Sequence, residues 1–475
     1  MVFSSLVFIS IFLPAVFLIY TAVPNLKFRN GLLIVASLAF YAYGEPVYVL
    51  LMIASSVINY VSARFAVKKD GSGNKAAVVI AVIINLGLLA VFKYAGFFAE
   101  SINAVTGLSV PVPQITLPIG ISFFTFQALS YVIDVYRGAV DVQRNYFKVL
   151  LYITFFPQLI AGPIVKYRDI SEQINDRSQS VEKVALGFRR FICGLAKKVL
   201  IANAMGQTAD AVFAADGSSL SIVTAWLGAI AYLFQIYYDF SGYSDMAIGL
   251  GMMFGFDFRE NFNYPYGASS IQDFWRRWHI SLSTWFKEYL YIPLGGNRKG
   301  NARTAVNKII VFFCTGLWHG ASWTFVIWGL YHGAFLLLEQ YVPAIKKLPR
   351  VLGSIYTVIV VTVGFVMFRA DTLSQGMEVT AKMFSGFNVS AASLSLALSQ
   401  LTPWFILMLA AAVIGCAPLK GISQKLRVTT GSFAALSKKQ LAVQALLFAA
   451  AFILLVWIIL RLSGAAYNPF IYFRF

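Results

Sequence analysis

The chain has 475 residues, of which 59% are hydrophobic, 16% aromatic and only 12% charged. A soluble domain carries about 25% charged residues, so this composition excludes an ordinary soluble protein. The net charge of +18 does not indicate nucleic-acid binding, because lysine and arginine lie between apolar runs and form no separate basic domain. Repeated apolar runs, many long enough to cross a bilayer, predict an all-α polytopic membrane protein.

Apolar runs recur along most of the chain. The first, Ser5 to Tyr20, has no basic residue before it and no cleavage pattern after it, so we expect a retained helix. Spans are predicted at 5–22, 31–43, 46–63, 76–95, 117–135, 148–164, 186–209, 221–239, 241–256, 304–318, 322–342, 353–369, 402–417 and 440–461. The runs at 31–43 and 148–164 are short, so tilted, paired or re-entrant segments are open alternatives there.

Basic residues between the runs predict an orientation. The basic connectors contain Lys27, Arg29, Arg64, Lys68, Lys69, Lys75, Arg137, Arg144, Lys148, Lys346, Lys347, Arg350, Lys420, Lys425, Arg427, Lys438 and Lys439. The positive-inside rule places these connectors in the cytoplasm. The amino terminus, the loop 370–400 and the tail 462–475 then lie outside, and a short surface helix is predicted at Met377 to Met383.

Two polar segments interrupt the apolar pattern. Residues 166–190 predict one or two helices on the cytoplasmic face. Residues 259–303 are basic, and Trp275, Trp278, Leu282 and Trp285 recur at the spacing of one helical stripe. The whole chain is interpreted as one membrane-embedded domain, with amino-terminal helices at 1–165, a core at 166–370 and carboxy-terminal helices at 371–475.

All three histidines lie between residues 271 and 333. Titratable groups at membrane depth usually line a polar cavity, and histidine suits proton transfer near neutral pH. His319 lies at a predicted helix–helix turn between Gly316 and Gly320, which favours a functional role. His279 lies just after two arginines and is the second candidate for a functional role. The alternative is a residue at the membrane interface that is hydrogen-bonded to water. His332 is expected on the antiparallel helix at another depth, where a packing role is favoured.

Other chemistries find little support in the sequence. No P-loop and no G-x-S-x-G nucleophile motif is present. Asp239 and Asp245, six residues apart among tyrosines and serines, fit either a cation site or structural hydrogen bonding. A transporter that relays protons through the histidines is a candidate of another class, although no inverted repeat supports it.

Several long stretches resemble the membrane-bound O-acyltransferase (MBOAT) family, and most closely its bacterial alginate O-acetyltransferase branch. The stretches are IYYDFSGYSDMAIG at 236–249, ENF at 260–262, FWRRWHISLS at 274–283, YIPLGGNR at 291–298 and GLWHG at 316–320. Segments 1–5, 117–123 and 160–164 are similar to that branch as well. The resemblance covers residues 1 to about 370.

The resemblance implies a ring of about 11–14 helices around a central funnel. It assigns His319 to the invariant histidine and His279 to the second polar position, and it adds less for His332. His319 is then the expected general base, while His279 orients or polarises the donor carbonyl or assists the oxyanion. The possible accessory residues are His332, Asp239, Ser281 and Trp278. A basic cluster for the donor is expected at Arg276, Arg277, Lys287 and Arg298, with membrane anchoring as the equal alternative.

The implied reaction moves an acyl group, acetyl in the first instance, across a bacterial plasma membrane. The donor is expected to be acetyl-CoA or an acyl-carrier thioester, with no bound cofactor and no metal. The acceptor is a hydroxyl of an exported polysaccharide or a secreted SGNH-type acyltransferase partner. D-alanyl transfer from a carrier protein to teichoic acid is the alternative within the family. Membrane lipid is an expected partner and nucleic acid is not.

Overall fold

The computed structural model describes residues 1–68, 70–417, 433, 436–464 and 467–471. Of the basic residues used above for orientation, Lys69, Lys420, Lys425 and Arg427 lie outside the described residues, as does the end of the predicted outer tail at 472–475. The chain divides into two compact units, one formed by Met1–Phe191 and Ser244–Arg259, the other by Ile192–Tyr243 and Glu260–Phe475.

The first unit begins with a π-helical turn at Phe8–Phe12 and has another at Ala90–Tyr94. Its helices are α1 (Leu13–Ala22), α2 (Leu26–Ala42), α3 (Tyr48–Phe65), α4 (Lys75–Leu89), α5 (Ala95–Thr106), α6 (Ile121–Tyr136), α7 (Tyr146–Thr154), α8 (Phe156–Leu159), α9 (Tyr167–Asn175) and most of α10 (Val181–Ala196). An aromatic cluster of Phe3, Phe8, Phe12, Phe40 and Phe156 forms part of its core.

The second unit holds the histidines. Its helices are α11 (Asn203–Phe213), most of α12 (Ile222–Met253), α13 (Ile271–Arg277), α14 (Ile280–Phe286), α15 (Gly300–His319), α16 (Trp323–Tyr341), α17 (Pro343–Lys346), α18 (Arg350–Arg369), α19 (Leu373–Ser385), α20 (Ala391–Gln400), α21 (Pro403–Cys416) and α22 (Lys438–Gly464). Short π- or 3₁₀-helical turns lie at Lys197–Ala202, Gly217–Ser219, Pro265–Gly267 and Lys287–Tyr291.

The described part of the chain is helical and contains no strand, only an isolated bridge between Val67 and Gly73. The all-α prediction is therefore confirmed. Four helical segments in the described residues are long and apolar enough to cross a membrane: Tyr48–Phe65, Lys75–Thr106, Arg350–Arg369 and Lys438–Gly464. The pair α20 and α21, bent by 70°, adds a fifth if it counts as one span. The protein is a multi-pass membrane protein.

Several predicted boundaries differ from the structure. The spans predicted at 221–239 and 241–256 are one 32-residue helix, α12. Gly242 does not interrupt this helix; a Cβ there would lie 2.7 Å from the Gly194 carbonyl oxygen, so the glycine permits a close helix contact. The run at 148–164 is not one helix, because Phe155 has a ψ of 111° between α7 and α8. The polar segment 166–190 forms two helices, as one alternative expected, and the predicted surface helix lies within α19.

Buried polar groups join helices within the membrane-spanning part of the first unit. Asn59 on α3 and Asn85 on α4 are fully buried. Each amide donates to the other's side-chain oxygen, at 3.1 and 2.9 Å. Each Nδ2 also donates to a backbone carbonyl one turn earlier on its own helix. Because an amide without partners is costly in an apolar interior, this reciprocal pair specifies how α3 and α4 pack together.

Candidate active site

His319 is the last residue of α15, and α16 begins four residues later at Trp323. Gly320 is extended, and the Ser322 hydroxyl accepts the backbone N–H of Thr324 at 3.3 Å to cap α16. The two helices touch at Gly316 and Gly329, where an added Cβ would lie 2.3 Å from a carbonyl oxygen of the opposite helix. The predicted turn at His319 is confirmed, and glycine is needed at these two contacts because no side chain fits.

The aromatic stripe predicted along one helix is broken at His279. α13 ends at Arg277, Trp278 is extended, and His279 takes the left-handed conformation with φ of 43° before α14 begins. The prediction of a single helix here is wrong, because the periodic spacing does not reveal a backbone reversal held by tertiary hydrogen bonds. The carbonyls of Asn261 and Arg277 accept the N–H groups of Ile280 and Asn263, which fixes the turn.

Asn261 determines which nitrogen of His279 carries the proton. Its Oδ1 accepts the backbone N–H of Ser281 at 3.2 Å and the Ser281 hydroxyl at 2.9 Å, so this atom is an oxygen. The Nδ1 atom of His279 lies 3.2 Å from the same oxygen and must donate to it. His279 is completely buried outside the membrane-spanning helices, and burial lowers its pKa to about 3. The ring is therefore neutral near pH 7, and its Nε2 is a hydrogen-bond acceptor.

His279 and His319 lie side by side, with ring centroids 6.4 Å apart. Trp318 contacts both rings, at 5.9 and 5.0 Å. A small cavity of about 10 Å³ is lined by Ile236, Phe240, Trp278, His319, Trp328, Phe365, Phe368 and Ile471. Such a volume holds about one water molecule. The structure thus forms a buried, aromatic-walled centre with two imidazoles.

His332 is not part of this pair. Trp328 contacts His319 at 5.1 Å and His332 at 5.2 Å between ring centroids. His332 is fully buried and also contacts Phe274 and Trp275. Neither of its ring nitrogens has a hydrogen-bond partner in the part of the chain that the structure describes. This geometry agrees with the packing role that the sequence favoured for His332.

A second, larger cavity of about 350 Å³ lies beside α13, α14, α15 and α16. Arg276 and Lys287, two members of the predicted basic cluster, line it together with Lys308. Its apolar lining residues are Trp275, Leu282, Phe286, Val311, Phe312 and Leu336. Thr315 also lines it and is one helical turn before His319 on α15, so the cavity reaches towards the histidine pair.

The other predicted members of the basic cluster do not line this cavity. Arg277 donates its Nε to Asp273 at 3.0 Å, one turn earlier on α13. Arg298 lies in the turns before α15 and is absent from the lining of the cavity. Arg276 and Arg277 point to different sides of α13 because successive residues of a helix are rotated by about 100°.

The remaining accessory candidates are of two kinds: some line the small cavity, and others hold neighbouring groups in place. Trp278 lines the small cavity, while Ser281 is bonded to Asn261. Asp239 is buried in an ion pair with Lys198 at 2.7 Å and accepts the backbone N–H of Ile471 at 2.8 Å. In the other unit, Asp245 pairs with Arg190 at 2.8 Å. Both aspartates thus have cationic partners, which favours structural roles over a cation site.

Three residues of the site had no role in the sequence predictions. Asn261 stood in a recognised motif, but only the fold shows that it bonds His279. Apart from its charge, nothing in the sequence around Lys308 indicated that it would line a cavity. Glu339 is a lone acid in an apolar helix, which was a usable signal because such residues are costly in a membrane protein. Its buried carboxylate accepts the N–H groups of Ile271 and Gln272 at the start of α13, at 2.5 and 3.1 Å.

The helices and the paired histidines define a class of protein: a multi-pass membrane protein with a buried polar centre beside a cationic cavity. Residues 137–369 match the family model described as MBOAT, membrane-bound O-acyltransferase family. The probable alginate O-acetylase AlgI of Azotobacter vinelandii is 41% identical over 513 aligned positions, covering 100% of both chains. The chain belongs to the membrane-bound O-acyltransferase family and is an O-acyltransferase.

Two relatives named for other acceptors are similar over less of the chain than the Azotobacter vinelandii protein. The peptidoglycan O-acetyltransferase of Helicobacter pylori is 38% identical, over 83% of this chain and 82% of that protein. The teichoic acid D-alanyltransferase of Bacillus subtilis is 28% identical, over 53% of this chain and 67% of that protein. The Azotobacter vinelandii protein is thus similar over more of this chain than these two relatives are.

Proposed function

We propose that this enzyme transfers an acetyl group from a cytoplasmic thioester to a hydroxyl of an exported cell-surface polysaccharide, directly or through a secreted acyltransferase partner. The observation that carries the proposal is the juxtaposition of the His279–His319 pair with a cationic cavity that reaches α15 one turn before His319. Full-length similarity to proteins named as alginate O-acetylases supports a glycan acceptor.

In the proposed reaction, His319 acts as general base. It takes the proton of the acceptor hydroxyl as the oxygen attacks the thioester carbonyl carbon. A C–O bond forms, the C–S bond breaks, and the sulfur leaves as a thiolate that is then protonated. Positioned proton transfer of this kind is worth about 10²–10⁴-fold in rate. A thiolate is a good leaving group because thiols have a pKa of about 8–9, so no strong separate acid is needed.

The hydrogen bonds of His279 support a different role from the one expected from the sequence. With Nδ1 donating to Asn261, the neutral ring offers only an acceptor at Nε2, so it cannot donate to an oxyanion. We propose that Nε2 accepts a hydrogen bond from the His319 imidazolium once His319 holds the substrate proton. The 6.4 Å between ring centroids leaves a gap that one water molecule or a small ring movement closes.

The larger cavity is the proposed donor site. Arg276, Lys287 and Lys308 provide three positive charges for the phosphates of coenzyme A or of a carrier's phosphopantetheine. Its apolar walls suit the neutral arm that carries the thioester. The donor end is expected on the cytoplasmic side, with both chain termini on the outer side of a bacterial plasma membrane.

The direct test replaces His319 by alanine in cells that acetylate an exported glycan. We expect glycan acetylation to disappear while the amount of membrane-inserted protein stays normal. His332→Ala is the comparison variant, because a packing role predicts lost stability with residual acetylation. Normal glycan acetylation by the His319→Ala variant would contradict the proposal.

The donor is identified with purified protein and labelled acetyl-CoA. We expect acceptor-dependent release of free coenzyme A thiol from wild-type protein and none from His319→Ala. Release from a D-alanyl carrier thioester, with none from acetyl-CoA, would instead assign the D-alanyl branch.

A further inference from the structure

The proposed reaction places negative charge on the carbonyl oxygen of the tetrahedral intermediate. Enzymes that transfer acyl groups stabilise this oxygen with fixed hydrogen-bond donors, and the loss of one donor costs about 10²–10³-fold in kcat. A donor must therefore be found near His319. Five of the eight side chains that line the small cavity are aliphatic or phenylalanine, so they offer no donor. Only His319, Trp278 and Trp328 remain among the lining side chains.

Neither histidine suits the oxyanion. His279 uses its one N–H on Asn261, as its hydrogen bonds require. His319 is assigned to the hydroxyl proton and must begin with a bare nitrogen facing the acceptor. Among the side chains that line the small cavity, an indole N–H is therefore the remaining donor, and an indole donates but never accepts.

Trp328 has the right properties. It is among the largest completely buried side chains, and it lies on α16 with its ring 5.1 Å from that of His319. Its Nε1 is buried and has no hydrogen-bond partner among the residues that the structure describes. A buried donor without a partner is costly, and a ligand atom is one explanation for its retention. Trp278 does not share this feature, because its Nε1 is not among the buried atoms that lack a partner.

We propose that Trp328 is a catalytic residue whose Nε1–H donates to the oxyanion. This inference rests on the proposed acyl transfer. As the hydroxyl oxygen attacks, the carbonyl electron pair moves onto the oxygen and the indole N–H holds that charge. When the C=O bond re-forms, the C–S bond breaks and the thiolate leaves. The indole proton is not transferred at any step.

The test is Trp328→Phe, which keeps an aromatic ring and removes the N–H. We expect kcat for thiol release to fall about 100-fold, with the KM for the thioester donor changed less than about threefold. Trp328→His, which keeps a ring N–H, should recover part of the loss. A role confined to packing would give similar defects in both variants and a loss that follows thermal stability.

Trp226→Phe is the matched control. The Trp226 indole donates to the Met383 carbonyl at 2.9 Å and lines neither cavity. This control loses an existing hydrogen bond, so it should lose some stability and keep kcat. If Trp328→Phe does not fold, the kcat of Trp328→His is compared with that of Trp328→Leu. The first variant has a ring N–H and the second has none.

The outcomes separate the two proposals. If the wild-type protein is active and the kcat of Trp328→Phe lies within twofold of the wild-type value, the role of Trp328 is overturned and the proposed function stands. Wild-type protein that releases no thiol from any acyl thioester overturns the proposed function, and the role of Trp328 with it.

Discussion

At the scale of single residues, the site depends on one amide. Asn261 accepts three hydrogen bonds on one oxygen, from His279 Nδ1 and from the backbone and hydroxyl of Ser281. These bonds select the histidine tautomer and hold a non-glycine residue at positive φ, a conformation that is uncommon outside glycine. Asn261 thus sets the tautomer of His279, the neighbour of the proposed general base His319.

We expect Asn261→Ala to lower acyl transfer at least about tenfold, because the His279 tautomer is no longer fixed. Stability should fall by about 1–3 kcal/mol, since a net hydrogen bond contributes about 1 kcal/mol. Asn261→Asp keeps the accepting oxygen and should retain more activity at equal protein level. Thiol release and thermal denaturation in detergent measure the two effects. Equal activity of the Ala and Asp variants would contradict the role of the oxygen.

At the scale of elements, α13 is a seven-residue helix that carries much of the site. It contributes Gln272, Trp275 and Arg276 to the proposed donor cavity and leads directly into His279. A helix this short is not stable alone. Its first turn is held by the buried carboxylate of Glu339 on α16, where a negative charge also interacts favourably with the helix dipole.

Glu339 is therefore expected to be a positioning residue. Glu339→Ala should raise the KM for the thioester donor and lower kcat, because α13 loses the acceptor for two N–H groups. Hydrogen exchange should become faster in the peptide 271–279. Glu339→Gln keeps one accepting oxygen and should have an intermediate effect on the kinetic constants and on the exchange rate.

The control for Glu339 is Thr372→Ala, which removes a comparable cap from α19, where the hydroxyl accepts the Gln375 N–H at 3.2 Å. It should lose about 1 kcal/mol of stability and keep both kinetic constants. Unchanged exchange at 271–279 in the Glu339 variants would refute the role of Glu339.

At the scale of the whole molecule, the proposed reaction requires the thioester donor on one side of the membrane and the hydroxyl acceptor on the other. α22 is a single 27-residue apolar helix with Lys438 and Lys439 at its start. By the positive-inside rule, we expect its start to lie in the cytoplasm and its end outside. Exposed serines flank this crossing at Ser437 and Ser463.

Cysteine labelling tests this orientation. In a background where Cys193, Cys314 and Cys416 are replaced by serine, a membrane-impermeant maleimide added to intact cells should label Ser463→Cys. Ser437→Cys should react only after the membrane is permeabilised. The opposite pattern would invert the proposed topology and place the donor cavity on the wrong side for a cytoplasmic thioester.

The sequence determined the helical membrane class, the family and the candidate histidines, because hydropathy and long motifs are local properties of the chain. It also located the turn at His319, since glycines mark close helix contacts. Only the tertiary structure decided that His279 lies in a helix break, that Arg276 and Lys287 share a cavity with Lys308, and that Asp239 pairs with Lys198. These features depend on contacts between residues distant in the chain, such as Asn261 with His279 and Glu339 with Ile271, which periodicity does not encode.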